Sequence, residues 1–590
     1  MARDRFLVAL IKPSHYDDQG YVIQWLRGWI PSNSLSSIYG LMLDLKARHV
    51  LGTEIDFEVE AYDETNRVIP LRRLIRRFRR NGGSGLVCLV GVQTNQFPRA
   101  LDIARPLRAA GIQVAIGGFH VSGSLAMLPE IPSDLAEARA LGITLFAGEA
   151  EGRLEALVRA AHERRLEPLY NHLQDLPHLT GQPIPFLPVR LARRYVGTLG
   201  SFDAGRGCPF TCSFCTIINV QGRKSRYRDA DDVEQLIRTN AAQGVHQFFI
   251  TDDNFARNRS WEAIFDRLAE LRETYGFRVH LTIQVDTLCH RLPNFVEKAM
   301  RAGCKRVFIG LESINPASLK GASKGQNRIT EYRRMLQAWR TAGVITYAGY
   351  ILGFPADTPD SIARDIAIIQ RELPIDILEF FILTPLPGSQ DHKDLHRKGV
   401  AMDEDMNAYD LEHVTTDHPL MSRADWQSIY DRAWSLYYSW EHMETLLKRA
   451  IATGVGSQRL SAMLFYFLGS HVYERVHPLQ SGVFRRKVRT QRRPGLPREH
   501  PFLFYPRRGL EIVTTYGPGM WFLWRLGRLR RRLERDASTR RYTDIAIAPI
   551  DGDDAGTLEL YSATEAARRS VADARARTEM IRAARAVHAG

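Results

Sequence analysis

The chain has 590 residues, of which 44% are hydrophobic and 25% are charged. This length predicts two to four domains, and this balance excludes a largely disordered chain. No window approaches the roughly 18 to 20 apolar residues of a membrane-spanning helix. The N-terminal apolar run is short and lacks a cleavage site, so we expect a cytoplasmic protein without a signal peptide.

The first 165 residues alternate short apolar runs with amphipathic stretches. The runs predict buried strands at 6–11, 55–60, 86–90, 114–116 and 144–146, with helices between them. This rhythm predicts a doubly wound parallel sheet, which binds ligands at the carboxyl ends of its strands. Glycine-bearing turns follow two of these strands, GGFH at 117–120 and GEAEG at 148–152. They predict a ligand site.

A proline-bearing stretch, residues 166–198, predicts a linker before a second β/α series. That series has predicted strands at 201–204, 247–251, 278–284, 306–311, 345–352 and 377–383. Six such units predict a partial parallel barrel with its reactive end at the carboxyl ends of the strands. Strand patterns stop after about residue 404, and residues 424–454 predict an amphipathic helix.

Three of the six cysteines form the cluster Cys208-Pro-Phe-Thr-Cys212-Ser-Phe-Cys215. This crowding indicates a metal site and not a disulfide framework. A [4Fe-4S] cluster needs a ligand on each iron, and this loop supplies three, which leaves one iron open. Zinc would want a fourth Cys or His, and the next histidine is the distant His246. Zinc and a purely structural or electron-transfer cluster stay open at this point.

The CxxxCxxC spacing, with an aromatic residue before the last cysteine, resembles the signature of the radical S-adenosylmethionine (SAM) superfamily. Motifs of the same family follow at later strand ends: TDDNF at 251–255, GLES at 310–313 and GYILGFP at 349–355. The resemblance implies a [4Fe-4S] cluster on Cys208, Cys212 and Cys215, with SAM on the open iron. An electron from an external donor would then yield a 5′-deoxyadenosyl radical. The implied SAM contacts are Phe214, Asp253, Asn254, Gln284, Glu312, Ser313 and Leu352.

The N-terminal domain resembles the cobalamin-binding subfamily of these enzymes. Methylthiotransferases carry three cysteines in this domain, whereas this one has only Cys88. The pattern Asp-x-His-x-x-Gly, which supplies a cobalt ligand in other cobalamin domains, is incomplete here, so the resemblance implies cobalamin bound without a protein histidine. The implied cobalamin contacts are Gln93, Gly117, Gly118, His120, Gly148, Glu149 and Glu151.

The resemblance implies an α/β fold class with four segments. They are a Rossmann-like cobalamin-binding domain (1–165), a linker (166–198), a partial (β/α)6 radical SAM barrel (199–403) and a mainly α-helical, basic C-terminal domain (404–590). Within the last, residues 474–541 hold 18 basic against 5 acidic residues, interleaved with aromatic ones. A solvated or packed face is the leading interpretation, peripheral contact with the inner face of a membrane the second, and nucleic-acid binding the last.

We therefore predict a monomeric, cobalamin-dependent radical SAM enzyme that methylates an unactivated carbon of a small-molecule substrate, lipid-like or tetrapyrrole-like. The radical would remove a hydrogen atom and methylcobalamin would supply the methyl group. Neither step needs a paired acid and base, so we name no proton-transfer residue. The alternatives are a radical SAM oxidative cyclase or rearrangement enzyme, similar to a tetrapyrrole ring cyclase, and a non-catalytic cobalamin or iron-sulfur sensor that binds nucleic acid.

Overall fold

A computed structural model describes residues 4–550 and 557–589. Its strands are β1 (Arg5–Lys12), β2 (Gln24–Gly28), β3 (Asp56–Asp63), β4 (Gly85–Leu89), β5 (Gln113–Gly117), β6 (Thr144–Ala147), β7 (Leu169–Asn171), β8 (Leu199–Phe202), β9 (Gly205–Arg206), β10 (Arg226–Tyr227), β11 (Gln247–Ile250), β12 (His280–Val285), β13 (Cys304–Glu312), β14 (Ile345–Leu352), β15 (Ile377–Ile382) and β16 (Gly482–Arg486).

The helices of the first two thirds are α1 (Asn33–Ala47), α2 (Leu71–Arg80), α3 (Phe97–Ala109), α4 (Phe119–Met127), α5 (Ser133–Ala140), α6 (Leu154–His162), α7 (Val189–Ala192), α8 (Ile217–Val220), α9 (Ala230–Ala242), α10 (Trp261–Glu273), α11 (Phe295–Arg301), α12 (Pro316–Gly321), α13 (Ile329–Thr341), α14 (Pro359–Glu372) and α15 (Gln390–Arg397). The remaining helices are α16 (Arg423–Tyr437), α17 (Trp440–Thr453), α18 (Ser457–Gly469), α19 (Pro501–Arg535) and two further ones at Glu559–Ser562 and Glu565–Ala589. Within the described residues, no helix has the length and apolar character needed to cross a membrane.

The N-terminal sheet is parallel throughout, in the order β3-β1-β4-β5-β6-β7. Side chains of β1 alternate between two cores, with Leu7 and Ala9 in one and Phe6 and Val8 in the other, because helices cover both faces. The predicted doubly wound sheet is therefore confirmed. The strand order reverses between β1 and β4, which is where such sheets open a crevice for a ligand.

The second sheet is also parallel, in the order β15-β14-β13-β12-β11-β8, and forms the predicted six-stranded partial barrel. The side chains of β13 alternate between the two faces of the sheet, as in any strand. The face that packs against the helices carries Val307, Ile309 and Leu311, and the residues between them face the inside of the barrel. Its register shifts between Gly310 and Glu312.

The C-terminal helices share the core of the barrel. Trp434 of α16, Leu446 of α17 and Leu460 of α18 are fully buried in the same cluster as the outward side chains of the barrel strands. The predicted helix at 424–454 is two helices, because the side chain of Ser439 accepts a hydrogen bond from His442 N–H and so begins α17.

One expectation about the chain after residue 404 was wrong. Strands do not stop after residue 404, because β16 pairs antiparallel with β2 of the N-terminal region. A five-residue strand, GVFRR, is too short to give a clear alternating pattern, and its partner is distant in sequence. The stretch 166–198, predicted as a linker, contributes β7 to the edge of the first sheet.

Candidate functional site

The cysteine loop follows β9, beyond the first strand of the barrel. Cys212 is buried, while Cys208 and Cys215 are half-buried, and all three are free thiols. Cys215 N–H donates to Cys212 O at 3.2 Å, and Cys208 N–H donates to Gly222 O at 3.3 Å, which closes the loop. Burial raises the pKa of Cys208 to about 11 and that of Cys215 to about 12. Both thiols therefore stay protonated at neutral pH unless a metal displaces the proton.

These three thiols suit a cluster better than a single ion. Across residues 4–550 and 557–589, the His, Cys, Asp and Glu side chains form no group of three or more that could hold a metal ion. In an iron-sulfur cluster each thiolate binds a different iron, so the sulfurs share one loop without sharing one coordination sphere. The Gln326 amide donates to Cys212 Sγ at 3.4 Å.

A buried ion pair lies beside the cysteines. Lys324 pairs with Glu312, and its ammonium lies over the Phe214 ring, 5.5 Å from the centroid. Burial alone would lower the pKa of Lys324, but the Glu312 carboxylate and Cys212 raise it, so the side chain stays cationic. Glu312 has a φ of 63°, a strained value for a residue with a side chain. The bend at the end of β13 therefore places the Glu312 carboxylate next to the cysteine loop.

The end of the second barrel strand carries two carboxyl groups, the buried Asp252 and the half-buried Asp253. Asp252 accepts from the backbone N–H groups of Ala204 (2.7 Å) and Gly205 (2.8 Å), which holds the segment leading into the cysteine loop. Burial, together with the neighbouring Asp252, raises the pKa of Asp253 to about 8. Asp253 is therefore largely protonated at neutral pH and becomes a carboxylate when a cation binds beside it.

Other predicted SAM contacts lie at the ends of neighbouring strands. Asn254 donates to Asp286 Oδ2 at 2.9 Å, and Gln284 donates to Asp252 O at 3.3 Å. Ser313 follows the bend at Glu312, and its hydroxyl accepts from Asn315 N–H at 3.0 Å. At the fifth strand, Leu352 O accepts from the Trp426 indole at 3.1 Å.

A cavity of about 560 Å³ lies between the two sheets and the C-terminal region. Its wall includes predicted residues from both domains: Gln93, Gly117, Gly118, Gly148, Glu149 and Glu151 from the first and Asp253 and Gln284 from the second. The segments after β1 and β4, where the strand order reverses, also line it. The structure therefore joins most of the predicted cobalamin contacts to two of the predicted SAM contacts.

The acidic residues of the GEAEG turn bind arginines of the barrel. Arg206 pairs with Glu149 at 2.7 Å and with Glu151 at 2.6 Å, and Glu149 also accepts from Arg226. Asp203 pairs with the same Arg206 at 3.1 Å. These buried pairs fix the carboxyl edge of the first sheet against the cysteine loop.

His120 is absent from the residues that line the cavity. Its Nε2 lies 2.7 Å from Asp134 Oδ2, and its Nδ1 lies 3.3 Å from Thr94 Oγ1. Both ring nitrogens thus have partners within the N-terminal domain, and the predicted contact of His120 with cobalamin stays a prediction.

The wall includes residues that the sequence did not indicate. Asn33 comes from α1, whereas His477 and Gln480 come from the C-terminal region. Burial lowers the pKa of His477 to about 4, so its ring is neutral, and its Nε2 lies 3.0 Å from Phe380 O. No local pattern in the sequence marks these residues, because only the tertiary fold brings them to the cavity.

Residues 204–368 match the family model of the radical SAM superfamily. This segment is thus a radical SAM domain. The matched range contains the three cysteines and the ends of the second to fifth barrel strands.

The chain is 27% identical over 346 residues to bacteriochlorophyllide d C-8(2)-methyltransferase of Chlorobaculum tepidum, covering 55% of this chain and 72% of that protein. It is 25% identical to hopanoid C-2 methylase of Rhodopseudomonas palustris, covering 59% of this chain and 63% of that protein. The structure of the radical SAM methyltransferase TsrM from Kitasatospora setae, with cobalamin and a [4Fe-4S] cluster bound, aligns with a TM-score of 0.52 at 18% identity, covering 68% of this chain and 79% of that one. This structural likeness supports the fold.

Proposed function

We propose that this chain is a cobalamin-dependent radical SAM enzyme that transfers a methyl group to an unactivated carbon. The observation that carries the proposal is the shared cavity. Gly117 and Gly148, at the carboxyl edge of the first sheet, face the same space as Asp253 and Gln284 of the barrel. A methyl carrier on one side and a radical source on the other would meet a substrate between them.

The residues present fit the three cofactors. Cys208, Cys212 and Cys215 would hold a [4Fe-4S] cluster, and the half-buried carboxyl of Asp253, which lines the cavity, would accept the ammonium group of SAM. Glycines at two strand ends would let cobalamin approach the backbone closely. When bound, the cluster and SAM supply a 5′-deoxyadenosyl radical that removes a hydrogen atom, and cobalamin carries the methyl group.

The protein's own part is to position and to shield. Arg206 holds the cysteine loop against the GEAEG turn, and Asp252 holds the two residues that enter the loop. Residues of the segment from His477 to Ser481 line the cavity on the side of the C-terminal region. Walls on several sides limit the access of water to a reactive radical.

The two named relatives methylate carbons of a tetrapyrrole and of a lipid. We therefore propose a small-molecule substrate of tetrapyrrole-like or lipid-like character. We further propose that the protein acts as a monomer, that an external protein donates the electron to the cluster, and that the protein contacts the inner face of a membrane peripherally.

The test is a labelled-methyl assay. Anaerobic protein reconstituted with iron, sulfide and cobalamin is given a reductant and SAM bearing a trideuterated methyl group, with bacteriochlorophyllide d or a hopanoid as substrate. We expect the deuterated methyl group on a carbon of one of them, found by mass spectrometry. A product that has lost hydrogen but gained no label would instead support the oxidative cyclase.

A further inference from the structure

Helix α19 exposes many large apolar side chains. Its exposed side chains include Phe502 (84%), Leu503 (69%), Leu510 (64%), Val513 (67%), Met520 (66%), Trp521 (56%) and Trp524 (52%). Leu503, Leu510, Val513, Trp521 and Trp524 recur at spacings of three, seven or eight residues and so share one face of the helix. A run of large apolar side chains in water is costly unless something covers it.

The opposite face of α19 is already packed against the protein. The buried side chains on this face are Phe504, Phe522, Leu526 and Leu529. The ring of Phe522 stacks on that of Phe465, with 6.1 Å between the ring centroids. The buried face is sufficient to attach α19 to the rest of the protein, so the exposed apolar face is not needed for folding. A large exposed apolar surface of this kind marks a candidate interaction site.

The same exposed face becomes basic in the last three turns. Arg528, Arg531 and Arg535 continue the spacing of Trp521 and Trp524 and are exposed. Within the part of the chain that the structure describes, none of these three arginines has a carboxylate at salt-bridge distance, whereas nearby Arg530 and Arg532 pair with Glu534 and Glu444. Three arginines without acidic partners, next to an apolar face, are complementary to a partner that has anionic groups at its surface and an apolar interior.

Tryptophan and arginine lie where the apolar and basic parts of this face meet. Arg525 lies over the Trp521 ring at 4.5 Å, and Arg528 lies over the Trp524 ring at 4.9 Å. Trp side chains favour the interface between lipid headgroups and acyl chains, because the ring is apolar and its N–H is polar. A nucleic acid would pair with the arginines but would leave Leu510 and Val513 in water.

The surface is firmly connected to the cavity. The Tyr516 hydroxyl of α19 accepts from Arg485 N–H of β16 at 2.7 Å, and Glu511 of α19 pairs with Lys487 at 2.7 Å. Strand β16 begins directly after Ser481, which lines the cavity. We propose that the exposed face of α19 binds the surface of an anionic lipid bilayer, and that it brings the cavity to the place where a lipid-like substrate resides. This inference names the surface and the lipid charge for the membrane contact proposed above, and the benefit to a lipid-like substrate rests on the proposed methyl transfer.

The experiment measures sedimentation of the full-length reconstituted protein with vesicles, without substrate. The vesicles are phosphatidylcholine alone or phosphatidylcholine with phosphatidylglycerol. We expect binding to the anionic vesicles that weakens as salt rises. The triple variant R528E/R531E/R535E and the variant L510S/V513S/W524S should each bind about tenfold more weakly or worse.

Matched controls separate this surface from general charge and general exposure. The triple variant R72E/R76E/R79E makes the same charge change on exposed arginines of α2, and Met580→Ser removes another exposed apolar side chain. Both should bind like the wild type. All variants should still form 5′-deoxyadenosine from SAM, so that a failure of the membrane proposal is distinct from a failure of the proposed function.

Three results would overturn the proposal. The first is equal binding of the α19 variants and the wild type to anionic vesicles, or no binding at all. The second is a wild-type dimer in solution that the apolar variant makes monomeric, which would make a second copy the occupant. The third is loss of duplex DNA binding in the arginine variant, together with unchanged vesicle binding.

Discussion

Arg206 Nη2 lies 2.6 Å from Glu151 Oε1, and this buried pair joins the cysteine loop of the barrel to the carboxyl edge of the N-terminal sheet. Two strand ends that belong to different sheets thereby face one cavity. Arg206 also pairs with Glu149 and Asp203, so its single positive charge offsets the negative charges of several carboxylates that are shielded from water.

Glu151→Gln should destabilise the protein by about 2–3 kcal/mol, because it removes one charge from a buried network and leaves the others unbalanced. Urea unfolding of the variant and the wild type measures this difference. The control is Glu155→Gln, which breaks a partly exposed pair with Arg48 (2.8 Å) and should cost less than about 1 kcal/mol. Equal costs for the two variants would contradict a structural role for the buried pair.

Gly353→Ala should destabilise the protein by about 3 kcal/mol or more. Gly353 has a φ of 105°, and a Cβ there would lie 2.0 Å from Trp426 Cζ2, so strain and overlap add. Gly343→Ala is the matched control, since Gly343 has a φ of 69° but no atom within 4 Å of an added Cβ. It should cost about 1 kcal/mol. Thermal unfolding measures the stability of both variants. If Gly353→Ala destabilised the protein no more than Gly343→Ala, the close packing of Trp426 against Gly353 would be refuted.

Glu379 should make stability depend on pH. It is fully buried on β15, neither of its carboxyl oxygens has a hydrogen-bond partner among the described residues, and burial raises its pKa to about 8. The unfolded chain loses this proton near pH 4.3, whereas the folded protein keeps it to about pH 8. Stability from this group therefore falls as the pH rises through that range, by up to about 5 kcal/mol.

Glu379→Gln should remove this fall. The free energy of unfolding, measured by urea between about pH 5 and about pH 9, should decline less steeply in the variant than in the wild type. Equal slopes would show that Glu379 is ionised in the folded protein. Glu155→Gln, at an exposed site, serves as the control and should keep the slope of the wild type.

Alanine variants of the cysteines should differ in the amount of iron that the protein binds. Alanine at Cys208, Cys212 or Cys215 should abolish the visible absorbance and most of the iron of anaerobically reconstituted protein. Alanine at Cys304, which is buried in the barrel core, should retain both. Iron retained by any of the three loop variants would show that the cluster lies elsewhere.

The six barrel strands could be predicted from the sequence, because apolar runs mark them and they follow one another in the sheet in chain order. Asp253 and Gln284 were implied by the resemblance to the radical SAM family, and both line the cavity. Local pattern is therefore sufficient for the strands, whereas these two residues needed the resemblance.

Contacts between distant segments could not be predicted. Glu149 and Glu151 line the cavity, and their predicted contact with cobalamin stays a prediction; their pairing with Arg206 arises only when the two sheets dock. Strand β16, which pairs with the distant β2, is too short to show an apolar pattern. His477 reaches the cavity only because the C-terminal helices pack on the barrel.

The most direct test of methyl transfer is a count of SAM products for each molecule of methylated substrate. Reconstituted protein with cobalamin, a reductant, SAM and bacteriochlorophyllide d or a hopanoid is stopped at several times, and chromatography measures both nucleoside products. We predict equal amounts of 5′-deoxyadenosine and S-adenosylhomocysteine, each rising with the methylated product. Formation of 5′-deoxyadenosine with altered substrate but without S-adenosylhomocysteine would contradict methyl transfer.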